Sequence, residues 1–140
     1  MENLKEKCID LARSLPDWFT DVAIENMKID FELNEIISEG DLDGFLVYNS
    51  DNGTIKIIWT AVKKEAQRGG IGTRLINKLI AKAKELGVKE IIVETLSPNQ
   101  EYVPYNLTRA FYEKNGFKVK KIIPPEKEGW DEMVLYGLEL

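Results

Sequence analysis

The chain reads as a single α/β domain: helices, an antiparallel meander, one parallel strand–helix–strand crossover and a terminal hairpin. Three observations predict this. Asp51-Asn52-Gly53 lies between two apolar runs, and Asn-Gly readily supplies the positive φ values of a tight hairpin reversal. A glycine-rich run, Gln67-Arg68-Gly69-Gly70-Ile71-Gly72, divides a strand-like stretch from a helix-like one. Helical spacing then stops at Gly87 and a β-branched run follows, so two parallel strands flank a right-handed crossover.

Taken in order, Glu2 to Ser14 has the apolar spacing of a helix, with Leu4, Cys8, Ile9 and Leu11–Ala12 on one side. Leu15-Pro16-Asp17 interrupts it, and a second helix is expected from about Trp18 to Lys28. Three strands follow, at Asn34–Ser38, Gly44–Tyr48 and Thr54–Val62. The third is apolar on both faces, as a central, doubly covered strand is. Ile71, Leu75, Ile76, Leu79, Ile80, Ala83 and Leu86 give the next helix its buried stripe, and Gly87 is its expected C′ residue. A strand from Glu90 to Leu96, a helix from Tyr105 to Lys114 and two strands, Phe117–Ile123 and Glu132–Leu138, complete about six strands and four helices.

At 140 residues, 1–140 forms one domain. No apolar run approaches the roughly 20 residues of a membrane span, and the N-terminus lacks an apolar block of signal-peptide length. A single cysteine, Cys8, cannot close an internal disulfide, so a cytoplasmic location without membrane partners is expected. The net charge of −5 argues against a nucleic-acid partner, which requires a basic face. It permits a cationic substrate, although solubility accounts for it equally well. Histidine is absent, which removes His-dependent triads and, with one cysteine, the usual metal sites; no metal is expected.

A glycine turn opening a helix offers backbone N–H groups to a phosphate or pyrophosphate. A P-loop would need Lys-Ser/Thr after the last glycine, where Thr73-Arg74 stands. A Rossmann fingerprint would need a third glycine that is missing here. A turn that uses glycine only to reverse the chain remains the structural alternative.

Gln67-Arg68-Gly69-Gly70-Ile71-Gly72 resembles the Gln/Arg-x-x-Gly-x-Gly/Ala motif of the GCN5-related N-acetyltransferase (GNAT) superfamily. Ala110-Phe111-Tyr112-Glu113-Lys114-Asn115-Gly116-Phe117 resembles the same family's later helix-turn motif. The resemblance covers roughly Phe45 to Leu140. It implies a mixed, mostly antiparallel sheet of about six strands with one splayed parallel pair. It also implies acetyl-CoA as co-substrate, its pyrophosphate against Arg68, Gly69, Gly70, Ile71, Gly72 and Thr73, with Gln67 opening the motif. Glycine at Gly70 and Gly72 is expected to let the backbone approach the phosphates closely. The pantetheine arm is expected to bond the backbone near Val62 and Lys63.

The implied activity is transfer of an acetyl group to a primary amine by direct attack in a ternary complex. Freeing a lysine-like amine of its proton at pH 7 costs roughly 4.6 kcal/mol, against about 1 to 1.5 for an α-amine. Without histidine the base must be a carboxylate or the solvent. Glu94 resembles in position an acidic base of some relatives, with Glu65 as the second candidate. Tyr112 corresponds to the tyrosine that serves the departing thiolate as general acid. Many relatives carry an asparagine seven residues before that tyrosine; here Tyr105 stands there and Asn106 comes one residue later. Asn106 is therefore the candidate for the contact to the CoA arm, and Tyr102 and Tyr105 are candidates to line the acceptor. The acceptor class is open between small molecules and peptides, and the assembly between monomer and homodimer. The alternative function is a non-catalytic acyl-CoA-binding or sensing domain.

Overall fold

The computed structural model describes residues 3–67 and 69–140. Helices α1 (Leu4–Arg13) and α2 (Asp21–Leu33) precede strands β1 (Glu35–Glu39), β2 (Gly44–Asp51) and β3 (Thr54–Val62). After a 3₁₀ turn at Lys64–Ala66 come α3 (Ile71–Glu85), β4 (Glu90–Leu96), α4 (Pro104–Lys114), β5 (Lys118–Ile123) and β6 (Met133–Glu139). The sheet order is β1-β2-β3-β4-β6-β5, and β3–β4 is its parallel pair. The expected mixed sheet and four helices are therefore present.

Local chemistry sets the boundaries. Asn3 and Thr20 cap α1 and α2 by accepting from the N–H groups of Glu6 and Ala23, each satisfying a donor that the helix ladder leaves over. The Thr20 cap corrects the expected start of α2. Trp18 and Phe19 lie in the turn before the helix, their N–H groups bonded to Leu15 O. Asn52 (φ 50°) and Gly53 (φ 79°) form the predicted hairpin, and Gly87 (φ 73°) follows the end of α3 as its C′ residue.

Side chains on the two sheet faces build two cores. Leu46, Tyr48, Ile55, Ile57, Ile91 and Val93 pack with α3 and α4. Phe45, Val47 and Ala61 pack with α1 and α2. Alternation along a strand places these sets on opposite faces. Cys8 sits fully buried in the second core, where desolvation pushes its thiol up to about 12 and leaves it unreactive.

One irregularity organises the centre. Val47 pairs with Trp59 and Tyr48 with Ile57, so Ile58 is an extra residue on β3. This β-bulge puts Ile58 and Trp59 consecutively on the α1–α2 face and reverses the alternation after it. The β3–β4 ladder runs only from Thr54–Glu90 to Ile57–Val93. Beyond it β3 stays paired with β2, and β4 with β6. The sheet thus divides into two stiff halves that separate from Ile58 onward.

Helix α4 is seated on α3 through a missing side chain. A Cβ on Gly72 would lie 2.6 Å from Phe111 Cε1. Gly72→Ala is expected to cost about 1–3 kcal/mol through this overpacking, read by urea denaturation, with Phe111→Leu recovering part of the loss.

Candidate active site

A cleft of about 790 Å³ occupies the split between the sheet halves. Its floor is made by Ile57–Thr60 of β3 and Val93–Leu96 of β4. The α1–α2 turn contributes Asp17–Thr20, and the β4–α4 loop contributes Gln100–Tyr102. Tyr105 and Tyr112 enter from α4, and Asp131 and Met133 from the end of the β5–β6 connection.

Tyr112 is buried, and its Oη donates to Thr60 Oγ1 at 3.1 Å. The bulge makes this possible, because reversed alternation turns Thr60 toward α4. Desolvation, opposed by the Thr60 hydrogen bond and augmented by Tyr105, pushes the Tyr112 phenol up to about 12. Glu94 lies on the opposite face of the split, one residue out of phase with the buried Val93 and Thr95. Its carboxylate is 3.3 Å from Lys56 Nζ, and both side chains are substantially exposed. Such a pair is worth at most about 1 kcal/mol and exchanges readily. Glu65 sits on the 3₁₀ turn and is not among the residues lining the cleft.

Thr95 is 4% exposed, and its Oγ1 has no hydrogen-bond partner although it lines the cleft. A buried hydroxyl left unpaired costs on the order of 1–3 kcal/mol. Polar atoms of a ligand entering the split would remove that cost.

The glycine loop lies where β3 runs into α3. Gly70 takes φ 81° as the α3 N-cap and supplies no side-chain capping bond. The first-turn N–H groups are thus left to the loop side, where the helix dipole favours an anion. Arg68 lies outside the described residues. Gly69 and Gly70 are exposed, Ile71 is anchored in the core, and Thr73 is partly exposed. Gly72 is buried against the Phe111 ring. Gln67 Nε2 donates to Val62 O at 3.1 Å and so pins the loop to the strand end.

Lys63 follows directly on the end of β3. Its N–H donates to Asp43 O at 2.8 Å, toward β2. Backbone direction alternates along a strand, so Val62 and Thr60 face the open edge instead. Asn106 is exposed and outside the cleft lining; its Oδ1 accepts from Arg109 Nη2. One step along a helix turns a side chain by about 100°, and Tyr105 is the residue that faces the cleft. Arg109 is buried and also donates to Leu96 O at 2.6 Å, fixing α4 to the end of β4.

Tyr102 and Tyr105 line the cleft and tie its walls together. Tyr102 Oη donates to Asp17 O at 2.6 Å, and Tyr105 Oη to Trp18 O at 3.4 Å. Trp18 Nε1 returns to Pro104 O and Thr108 Oγ1 at 3.2 and 3.1 Å. Sequence reasoning missed Thr60, Thr95, Trp18, Phe19 and Trp59 of the cleft. It also missed Glu132, whose Oε1 accepts from Ser97 Oγ at 2.8 Å and Asn99 Nδ2 at 2.6 Å. Those two hydrogen bonds hold the Glu132 carboxyl below its ordinary range. The Ser97–Pro104 loop is ordered by this long-range contact, for which the local sequence carries no signal.

Comparison with solved structures places this geometry. A GNAT-family protein from Desulfovibrio desulfuricans aligns with a TM-score of 0.78 at 21% identity, covering 99% of this chain and 94% of that one. A Bacillus subtilis acetyltransferase in complex with CoA aligns at 0.72 and 23% identity, covering 100% and 95%. An aminoglycoside 6'-acetyltransferase type Ii aligns at 0.73 and 25% identity, covering 97% and 89%. No curated protein sequence matches the chain. The sequence profile of the acetyltransferase (GNAT) family matches residues 7–117. That match spans both the glycine loop and the Tyr112 helix, and the chain belongs to the GNAT acetyltransferase family.

Proposed function

We propose that the protein is an N-acetyltransferase that moves the acetyl group of acetyl-CoA to a primary amine by direct attack in a ternary complex. The observation that carries this reading is Tyr112, whose hydroxyl is held on Thr60 at the split between β3 and β4. A domain that only bound the cofactor would need the split and the glycine loop, but not a protonated phenol kept there.

Acetyl-CoA fits the residues present. The α3 N-terminus from Gly69 to Thr73 would hold its pyrophosphate, and the open-edge backbone of Thr60 and Val62 the pantetheine arm. The unpartnered Thr95 hydroxyl gives a polar atom of the arm a hydrogen-bond partner. When bound, the thioester supplies an acyl group activated toward an amine, with a thiolate as leaving group. Tyr112 holds its proton at Oη, and Thr60 Oγ1 orients that group by accepting from it. A phenol is neutral across physiological pH, and burial raises this one further, to about 12, so the proton is retained until negative charge develops beside it. Glu94, on the other face, takes the proton of the incoming ammonium after its carboxylate leaves Lys56.

Three measurements test this reading. Tyr112→Phe is expected to lower kcat about 10- to 100-fold while the acetyl-CoA Kd stays within about threefold. Loss of binding in step with turnover would remove the acid role, and acetyl-CoA binding without thiol release from any amine would instead favour an acyl-CoA-binding domain. Glu94→Gln is expected to slow turnover about tenfold or more near pH 7. That deficit should close as pH rises and solvent supplies neutral amine; a pH-independent deficit would count against the base. The third measurement is alkaline stability. The Tyr112 phenol titrates near 10.0 when unfolded and is raised to about 12 when folded. Its contribution is therefore full below pH 10 and is lost as pH climbs toward 12. Over that interval urea unfolding should find wild type losing stability faster than Tyr112→Phe.

A further inference from the structure

We infer that the acceptor is a polycationic amine, carrying further ammonium groups besides the one acetylated; this rests on the acetyltransferase reading above. Among the described residues lining the cleft, four are carboxylates, Asp17, Glu94, Glu101 and Asp131. Among the same described residues the cation is Lys56, already paired with Glu94. The carboxylates come from four separate segments: the α1–α2 turn, β4, the β4–α4 loop and the residues just before β6. They are therefore distributed along the cleft, an arrangement that matches several spaced positive centres better than one ammonium ion.

The apolar lining agrees with this. Trp18, Phe19, Trp59, Tyr102 and Tyr105 stand among the carboxylates. Aromatic faces attract ammonium groups and pack against the methylenes between them. Their positions are fixed. Trp59 Nε1 donates to Asp30 Oδ2 at 2.7 Å, and Trp18 and Tyr102 bridge the two loops that form the rim. A preorganised lining of this kind spends little ordering entropy on a flexible ligand.

Thr95, buried in the floor with an unpartnered hydroxyl and assigned above to the cofactor arm, marks the cleft as one that takes a ligand. The volume of about 790 Å³ falls within the range of small-molecule sites. Because the cofactor arm must share it, a slender acceptor fits better than a folded protein surface.

The test uses the intact protein saturated with CoA and titrated calorimetrically with spermine, followed by thiol-release assays on spermine, kanamycin, n-butylamine and a glycyl peptide. Spermine is expected to bind the CoA complex and to weaken at least tenfold between low and 0.3 M salt. The Glu101→Gln, Asp131→Asn double variant should lose at least ten times more kcat/KM on a polycation than on n-butylamine. Both residues are exposed, so the fold should survive, and Glu101→Lys provides a second, charge-reversing variant with a larger loss. A preference for spermine or for kanamycin supports the inference and says whether the polycation is linear or ring-based. Spermine binding of this kind with no thiol released from any amine would overturn the transfer chemistry, and the acceptor role with it, and leave a polycation-binding cleft. Equal kcat/KM for n-butylamine or the glycyl peptide, or no spermine binding, would overturn the inference; thiol release in those assays would leave the chemistry standing.

Discussion

The extra residue at Ile58 is the constraint on which the rest of this structure depends. A regular β3 would continue its ladder with β4 and keep Trp59 and Ala61 on the same face as Ile55 and Ile57. The bulge reverses that parity within one residue. Trp59 then reaches Asp30 on α2, and Thr60 reaches Tyr112 on α4. Because the parallel ladder also ends at Ile57–Val93, both strands present backbone groups to the gap. The split is therefore an open edge of the kind to which an extended ligand can hydrogen-bond.

An opened sheet would be soft if its halves were not braced separately. Here β3 keeps β2 as partner to Val62, and β4 keeps β6 to Leu96, so each wall is an antiparallel ribbon. Polar contacts at long sequence separation then fix the distance between the rims. Glu132 gathers Ser97 and Asn99, Trp18 spans to Pro104 and Thr108, and Arg109 clamps Leu96. Individually such hydrogen bonds contribute about 1 kcal/mol. Their combined effect is geometric, since they hold the loops that carry Asp17, Glu101 and Tyr102 around one opening.

How much of this was legible in the sequence follows the range of each interaction. The Asn52-Gly53 hairpin, the Gly70 loop and the Tyr112 helix are encoded within a few residues, and all three were readable. The bulge was hidden because Ile57-Ile58-Trp59 is apolar throughout, so a change of face leaves no break in the hydrophobic pattern. The Thr20 cap was masked by Trp18 and Phe19, whose apolar character imitates the start of a helix. Gly72 lies within a recognisable motif, yet the ring that needs its missing Cβ belongs to Phe111, on another helix. Asn106 shows how sharply helical geometry discriminates: a one-residue offset sends it to Arg109 and leaves Tyr105 at the cleft.

Burial differs sharply between the two faces of the split. On the α4 side Tyr112 is enclosed, its proton retained by desolvation and its direction set by Thr60. On the α1–α2 side Glu94 remains in contact with solvent and with Lys56. An acid that must release its proton only when charge appears beside it benefits from a dry site. A base that must receive a proton from an incoming ammonium and return it to water benefits from a wet one. Exchanging the two environments would favour a neutral carboxyl group on one side and leave the phenol hydrogen-bonded to water on the other. The parity change at Ile58 therefore does more than open a gap, because it turns Thr60 toward Tyr112 on the buried face, while regular alternation along β4 leaves Glu94 on the hydrated one.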